Sequence, residues 1–251
     1  MTTGTIRIVC AATVLLLFSL PAVVQAQYSY TNDNGANTIT RYAGSETVVI
    51  IPSTINGLPV TSIVIPNSVA AIGDGAFGNC SRLTSVTIGN GVTRIGYKAF
   101  AGCYGLTSLR IPSTVTDIGS SAFYSCATLK AVYFQGNAPI AGFNVFESAN
   151  NAAVYYLPGT TGWGPTFGGR PAVLWNPQVQ TSDGSFGVQA NQFGFTITGT
   201  SGLVIVVEAC TNLVNPVWSA LGTTTLTGGS SYFSDPQWTN YPTRLYRLRS
   251  P

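Results

Sequence analysis

Apolar residues recur at an interval of 23 residues along the middle of the chain. The recurring positions are a phenylalanine column and a cysteine column, at Phe77, Phe100, Phe123 and Phe146 and at Cys80, Cys103 and Cys126. A unit this short cannot bury its apolar side alone, so neighbouring units must stack and turn each column into a continuous ladder. The period therefore predicts a solenoid in which both columns form the structural ladder.

Alternation within each unit predicts a short strand. Val86 and Ile88 should point inward and Thr87 outward, because successive side chains of a strand lie on opposite faces. The Gly-Asn-Gly sequence at 89–91 predicts a turn that ends the strand and reverses the chain. A second apolar pair, a glycine corner and a single helical turn that carries Phe100 should complete the coil.

Three successive units share the pattern L-x-x-V-x-I, then x-x-x-V-x-x-I-G, then A-F-x-x-C. This pattern resembles the bacterial surface leucine-rich repeats of the BspA type, and the resemblance covers residues 58–146. It implies a mainly β fold, a leucine-rich-repeat solenoid with short helical or 3-10 turns.

The flanks predict caps and a second domain. We expect an N-terminal cap at 27–57, formed by a hairpin and a partial rung at Val48 to Ile51, and an aromatic C-terminal cap at 147–176. The period vanishes from Pro177, and short alternating segments separated by turn residues predict a small antiparallel β-sandwich over 177–251. The expected strands are 186–189, 194–198, 203–209, 219–226, 231–233 and 245–248.

The first 26 residues predict a secretory signal peptide. Arg7 precedes an apolar run from Ile8 to Leu20, and small residues lead to a cleavage site after Ala26. The run is too short for a membrane-spanning helix, which needs about 20 residues. We therefore expect an exported protein, extracellular or at the cell surface, with no transmembrane segment in the mature chain.

Composition argues against several partners and chemistries. Only 8% of residues are charged, and loss of Arg7 leaves ten basic and eight acidic residues, a net charge of +2. That balance does not favour nucleic-acid binding, which requires a clustered basic face. The chain has no histidine, and its eight carboxylates are scattered, so we expect no enzyme, no cofactor and no metal site.

One motif match is accidental. Residues 73–78 satisfy the dinucleotide pattern G-x-G-x-x-G, but the first glycine recurs at Gly96 and Gly119 as the corner residue of the repeat. No long helix is expected after it, as the dinucleotide site would require.

The cysteine column allows two interpretations. Stacked strands lie ~4.8 Å apart, a separation that permits a disulfide in an exported protein. Equivalent side chains in a ladder nevertheless point the same way, and the neighbouring columns are apolar. Three buried thiols that pack as small hydrophobic groups are the favoured interpretation.

Outward strand positions are the candidate binding residues. Charge is rare in this chain and Arg and Tyr are common interface anchors, which favours Arg110, Lys130 and Tyr133, with Thr87 and Ser108 beside them. The expected partner is an extracellular protein or glycan, and the expected role is non-catalytic recognition or adhesion. A second candidate patch contains Arg94, Tyr97, Lys98 and Tyr104.

The alternative places function in the C-terminal module. An envelope structural or carbohydrate-binding role there would use Trp218, Tyr232, Trp238 and Tyr241. The module could instead serve as an export or attachment signal.

The signal peptide leads to a direct prediction. N-terminal sequencing of the protein recovered from outside the cytoplasm should begin at Gln27, because the small residue Ala26 marks the cleavage site. A variant with Ala26→Phe should keep its leader, and recovery of the unaltered protein with residues 1–26 still attached would contradict the prediction.

Overall fold

The computed structural model describes residues 54–250 and, ahead of them, the strands Arg7–Cys10, Tyr28–Asp33, Ala36–Tyr42 and Val48–Ile51. The chain divides into two compact units, Met1–Val173 and Leu174–Pro251. The fold is mainly β, which confirms the sequence prediction, and the described residues contain one 3-10 helix, Trp238–Asn240. No described helix has the length and apolar character needed to cross a membrane.

The first unit is a coil of short strands on two sides, which we call front and back. Its strands are β1 (Arg7–Cys10), β2 (Tyr28–Asp33), β3 (Ala36–Tyr42), β4 (Val48–Ile51), β5 (Thr54–Ile55), β6 (Leu58–Ile65), β7 (Ala71–Ile72), β8 (Ser85–Ile88), β9 (Arg94–Ile95), β10 (Ser108–Ile111), β11 (Asp117–Ile118), β12 (Ala131–Phe134), β13 (Ile140–Ala141), β14 (Ala153–Tyr156), β15 (Thr166–Phe167) and β16 (Arg170–Leu174). The back sheet has the order β7, β9, β11, β13 and is parallel throughout. The front strands are β3, β6, β8, β10, β12, β14 and β16.

The phenylalanine column forms a stack of rings in the core. Ring centroids of Phe77 and Phe100 lie 5.0 Å apart, those of Phe100 and Phe123 5.5 Å, and those of Phe123 and Phe146 5.1 Å. Neighbouring rings are parallel within 12°, and all four are fully buried. This spacing is close to the distance between paired strands, so each ring covers the face of the one before it.

The turn that carries each phenylalanine is a succession of β-turns rather than a helical turn. In the second repeat the N–H groups of Ala99, Ala101 and Cys103 donate to the carbonyl oxygens three residues earlier. Lys98 has a φ of +51°, and Gly75, Ser121 and Asn144 occupy the same repeat position with φ near +60°. A left-handed residue inside the turn prevents a continuous helix.

The corner glycines are required by close stacking rather than by their own backbone angles. A Cβ atom on Gly119 would lie 2.5 Å from the Tyr97 nitrogen and 2.6 Å from the Gly96 carbonyl carbon. Neither Gly96 nor Gly119 has a φ in the left-handed region. Any side chain there would push one coil away from the next.

The cysteine column is buried, but its first member differs from the others. Cys103 and Cys126 are free thiols, and each donates a hydrogen bond of 3.1 Å to the carbonyl of the phenylalanine one repeat earlier. Cys80 is disulfide-bonded, so the interpretation of three free thiols is wrong at this position. Within the column the equivalent side chains point the same way, which leaves Cys103 and Cys126 unbridged.

Both ends of the repeat region carry additional structure. β2 and β3 form an antiparallel hairpin, and β3 pairs in parallel with β6. The partial rung predicted at Val48 to Ile51 is β4, which pairs with β1. The rest of the predicted signal peptide, residues 1–6 and 11–26, lies outside the described residues.

An aromatic cluster closes the C-terminal end of the repeat region. The rings of Trp163 and Phe167 meet Phe134 edge-on at 5.0 and 5.3 Å, and Tyr156 stacks on Trp163 at 5.0 Å. These rings therefore cover apolar surface of the last coil that would otherwise be exposed to water.

The second unit contains two antiparallel sheets. Its strands are β17 (Gln178–Val179), β18 (Gly187–Gln189), β19 (Gln192–Thr198), β20 (Val204–Cys210), β21 (Ser219–Thr225), β22 (Ser230–Asp235) and β23 (Leu245–Arg249). One sheet joins β17, β18 and β22 to β19, and the other places β20 between β21 and β23. All six predicted strands are present, with ends that differ by at most two residues.

The unit begins before Pro177, the predicted boundary. The Thr200 hydroxyl donates to the carbonyl of Leu174 at 2.8 Å, and the Thr200 N–H donates to the Asn176 side chain at 3.1 Å. These bonds tie residues 174–176 to the second unit.

The ring stack should dominate the stability of the first unit. Phe100→Ala removes a buried ring with neighbours on both faces, and we expect a loss of about 3–5 kcal/mol in the free energy of unfolding. Urea unfolding measures this loss. Phe143→Ala is the matched control, because its ring is 86% exposed and its removal should cost less than about 0.5 kcal/mol. Equal losses for the two variants would contradict a central role for the stack.

The free thiols should resist labelling in the folded protein. Burial raises the pKa of Cys103, and it raises the pKa of Cys126 to about 12. Cys210 is also buried. Maleimide labelling followed by peptide mapping should modify all three in urea and none in buffer. Raising the pH from about 7 to about 9 should not speed native labelling of Cys103 and Cys126, because their raised pKa keeps both thiols protonated. Rapid native labelling of Cys126 would contradict this.

Candidate functional site

Outward side chains of the front strands form rows across successive repeats. Thr87 lies opposite Val64, and Ser85 lies opposite Ser62. On the next two front strands, β10 and β12, Arg110 lies opposite Tyr133, and Ser108 lies opposite Ala131. These rows place the predicted binding residues on one side of the first unit.

The front sheet is divided between β8 and β10. β8 pairs with β6 and belongs to the N-terminal sheet, whereas β10 pairs with β12 and begins a separate sheet. The back sheet and the ring stack continue without a break across the same two repeats. The division therefore opens the front alone.

A groove of about 450 Å³ lies at this division. Its lining consists of Thr84, Ser85, Val86, Thr87, Ile88, Ser108, Leu109, Arg110, Pro112 and Gln135. Cα atoms of β8 and β10 still approach within 8 Å, which is less than the separation of two strands with a third between them. The groove can therefore receive side chains or a sugar ring from a ligand that lies across it, but not a full inserted strand.

The groove has an apolar floor and a polar rim. Val86 and Ile88 are 9% and 8% exposed, whereas Leu109 and Ile111 on the neighbouring strand are 2% and 0% exposed. Hydroxyl groups and the exposed Arg110 side chain surround this floor. The described lining contains one basic side chain and no acidic one, so it suits a neutral or negatively charged ligand rich in hydrogen-bonding groups.

Three of the five predicted binding residues come together in the groove. Thr87, Ser108 and Arg110 are part of its lining. Lys130 is exposed one residue before β12 and lies outside the lining, because Ala131 takes the outward position opposite Ser108.

Tyr133 corrects the sequence analysis in one respect. The prediction that its side chain is exposed is wrong, since only 8% of the residue is accessible. Its ring stacks on Tyr155 of the next strand at 5.0 Å, and burial raises the pKa of Tyr155. Tyr133 therefore packs beside Arg110 rather than projecting from the surface.

The sequence analysis did not select the other seven residues that line the groove. Val86 and Ile88 match the inward columns and were assigned to the core, and Pro112 and Gln135 occupy turn positions. The units on either side of the division have the same consensus. No sequence signal therefore marks where the sheet opens.

The second predicted patch, around β9, is exposed and internally paired. Tyr97 and Tyr104 are 46% and 51% exposed, and the Lys98 ammonium lies 5.1 Å from the centre of the Tyr97 ring. A guanidinium nitrogen of Arg94 lies 3.9 Å from a carboxylate oxygen of Asp74.

The aromatic candidates of the second unit are distributed over several contacts. The guanidinium of Arg247 lies 4.3 Å from the Trp218 ring centre, and that of Arg244 lies 4.1 Å from the Tyr241 ring centre. The Trp238 indole N–H donates to the Asn191 carbonyl at 3.3 Å. Tyr232 is 48% exposed and remains the most accessible of the four.

No group of three or more Cys, Asp and Glu side chains with the spacing of a metal site occurs in the described part of the chain. The groove itself holds hydroxyl, amide and guanidinium groups. Its chemistry is that of hydrogen bonding and charge attraction.

Comparison with known families identifies the repeat. Residues 50–161 match the BspA type leucine rich repeat region in six copies. The match extends beyond residues 58–146 at both ends. No curated protein matches the chain.

Three solved bacterial leucine-rich repeat proteins are similar to this chain. The T. pallidum leucine rich repeat protein is 25% identical over 53% of this chain and 84% of its own, with a TM-score of 0.29. The Bacteroides capillosus protein is 25% identical over 44% of this chain and 95% of its own, with a TM-score of 0.27. A leucine rich cell surface protein of Faecalibacterium prausnitzii is 22% identical over 52% of this chain and 53% of its own, with a TM-score of 0.26.

Proposed function

We propose that this chain, whose residues 50–161 are BspA-type leucine-rich repeats, is an exported, non-catalytic recognition protein that binds an extracellular ligand in its front groove. The observation that carries the proposal is the division of the front sheet between β8 and β10. Where that sheet parts, strand edges, hydroxyl groups and an apolar floor are brought to one place.

The chemistry of the groove favours an extended protein segment as the ligand. The hydroxyl and amide groups of the rim can form hydrogen bonds with the backbone of a peptide that lies across the groove. The floor at Val86 and Ile88 accepts a small apolar side chain, and Arg110 attracts a carboxylate or a backbone carbonyl. A matrix protein supplies all three kinds of group.

Location outside the cytoplasm is the second part of the proposal. The low content of charged residues and the predicted signal peptide over 1–26 both support export. Repeat solenoids present one long side to a partner, which suits attachment or adhesion at a cell surface.

Groove variants should weaken binding more than variants elsewhere. Against a panel of immobilised matrix proteins, Arg110→Ala should reduce the affinity for any bound member about 5-fold to 30-fold, as expected for an interface anchor. Thr87→Val removes one hydroxyl at constant shape and should cause a smaller loss. Surface plasmon resonance with the full chain measures both.

Arg94→Ala is the matched control, because it also removes an exposed arginine from a short strand of the same repeat region. Its affinity should match that of the unaltered protein. If Arg94→Ala weakens binding as much as Arg110→Ala, the front groove is not the binding site.

A carbohydrate-binding role of the second unit is the alternative, and it is favoured by the exposed Tyr232 and Tyr241 rings. A glycan array distinguishes it from the leading proposal. Binding lost in Tyr232→Ala and retained in Arg110→Ala would support the alternative.

A further inference from the structure

The second unit contains a cavity of about 460 Å³. Its lining includes Val179, Phe186, Phe193, Leu248, Arg244 and Arg247. Its volume lies within the range of small-molecule sites, which are mostly apolar with a few polar groups. The cavity is formed by this unit alone.

Arg244 gives the cavity its polar group. The Arg244 side chain is only 9% exposed, and its Nε lies 2.8 Å from an oxygen of Asp235. That contact is close enough for an ion pair, but its angle makes no hydrogen bond. Nη1 is also buried, and it has no hydrogen-bond partner in the described part of the chain. A guanidinium with buried donors left unsatisfied is costly, and a bound acceptor would relieve that cost.

The charged side chains at the cavity form two groups of ion pairs. Asp235 lies against Arg244 and accepts a hydrogen bond from the Tyr246 hydroxyl at 3.0 Å. Glu208 is paired with both Arg247 and Arg249 at 2.6 Å. Three arginines and two carboxylates therefore carry one net positive charge, and the Arg247 and Arg249 side chains are 46% and 33% exposed, whereas Arg244 is buried.

The apolar part of the cavity is incompletely covered. Phe186 is 47% exposed and Val179 is 37% exposed, although both face a cavity lined by aromatic rings. Phe186 meets Phe193 edge-on, with ring centres 5.5 Å apart. An apolar group bound between these rings would remove further apolar surface from water.

We propose that this cavity binds a small monocarboxylate with an aromatic or aliphatic body. The carboxylate accepts hydrogen bonds from the unsatisfied N–H groups of Arg244, which a charged acceptor satisfies better than a neutral one. The body of the ligand packs between Phe186, Phe193 and Leu248. This site is independent of the front groove and requires no particular ligand there.

Calorimetry on the full chain tests the site with four probes. Phenylbutyrate and octanoate carry the carboxylate, whereas phenylbutanol and octanol have the same bodies without the charge. The acids should bind in the millimolar range or more tightly, and each should bind at least about 10-fold more tightly than its alcohol. Equal affinities for acid and alcohol, or no heat from either acid up to ~10 mM, would overturn the proposal.

Two variants locate the binding. Arg244→Met together with Asp235→Asn removes both charges of the ion pair, so neither is left buried alone, and it should weaken both acids about 10-fold or more. Phe186→Ala alters an exposed ring at the cavity and keeps the ion pair, so it tests the site even if the double variant does not fold. It should weaken the acids about 5-fold to 10-fold.

Phe143→Ala is the control, since it removes an exposed phenylalanine from the first unit. Its affinity for the acids should not change. Acid binding that survives Phe186→Ala at full strength would show that the probes bind elsewhere and would refute this cavity as their site. Loss of acid binding in Phe186→Ala, with matrix binding in the front groove intact, would separate this inference from the proposed function.

Discussion

Each repeat of the first unit has one apolar side that only the neighbouring repeat can bury. The stacked phenylalanine rings form the centre of this contact between repeats. Ring centroids 5.0 to 5.5 Å apart leave no space for a bulkier corner, which explains why Gly96 and Gly119 lack side chains. The same stacking buries Cys103 and Cys126 and aligns the outward rows of the front strands. The geometry of the surface is therefore a consequence of the core.

The front groove shows that the two sides of a solenoid can behave differently. Back strands of two residues keep a continuous parallel ladder across the second and third repeats, while the front strands part between β8 and β10. The Phe100 and Phe123 rings still stack across the division, with centroids 5.5 Å apart, so the opening does not divide the core. A local loss of strand pairing on one side thereby creates a recess with a polar rim on the front of the repeat region.

The second unit contains ion pairs with buried carboxylates, whereas the first unit is held together by apolar contacts that repeat along the chain. Burial by itself would raise the pKa of Glu208. The hydrogen bonds and positive charges of Arg249 and Arg247 outweigh this effect, so the pKa of Glu208 is lowered. That ion cluster contributes stability above the ordinary pKa of glutamate, and the contribution is lost as the pH falls through the lowered value. Asp235 and Arg244 form a second buried pair in which the arginine is not fully satisfied. Among the described residues, the buried polar and charged ones, Glu208, Asp235 and Ser250, all lie in this second unit.

The sequence determined the repeat, its ladder columns and the strands of the second unit, because the 23-residue period and the alternation of apolar residues are local features that stacking must obey. It placed Thr87, Ser108 and Arg110 on one side for the same reason. It did not indicate that Tyr133 packs on Tyr155, that Cys80 differs from its column, or that Arg244 lies unsatisfied beside a cavity. Those features depend on contacts between residues distant in the chain and on where a sheet loses its pairing. Only the tertiary structure decided them, because units with the same consensus can differ in how closely neighbouring strands approach.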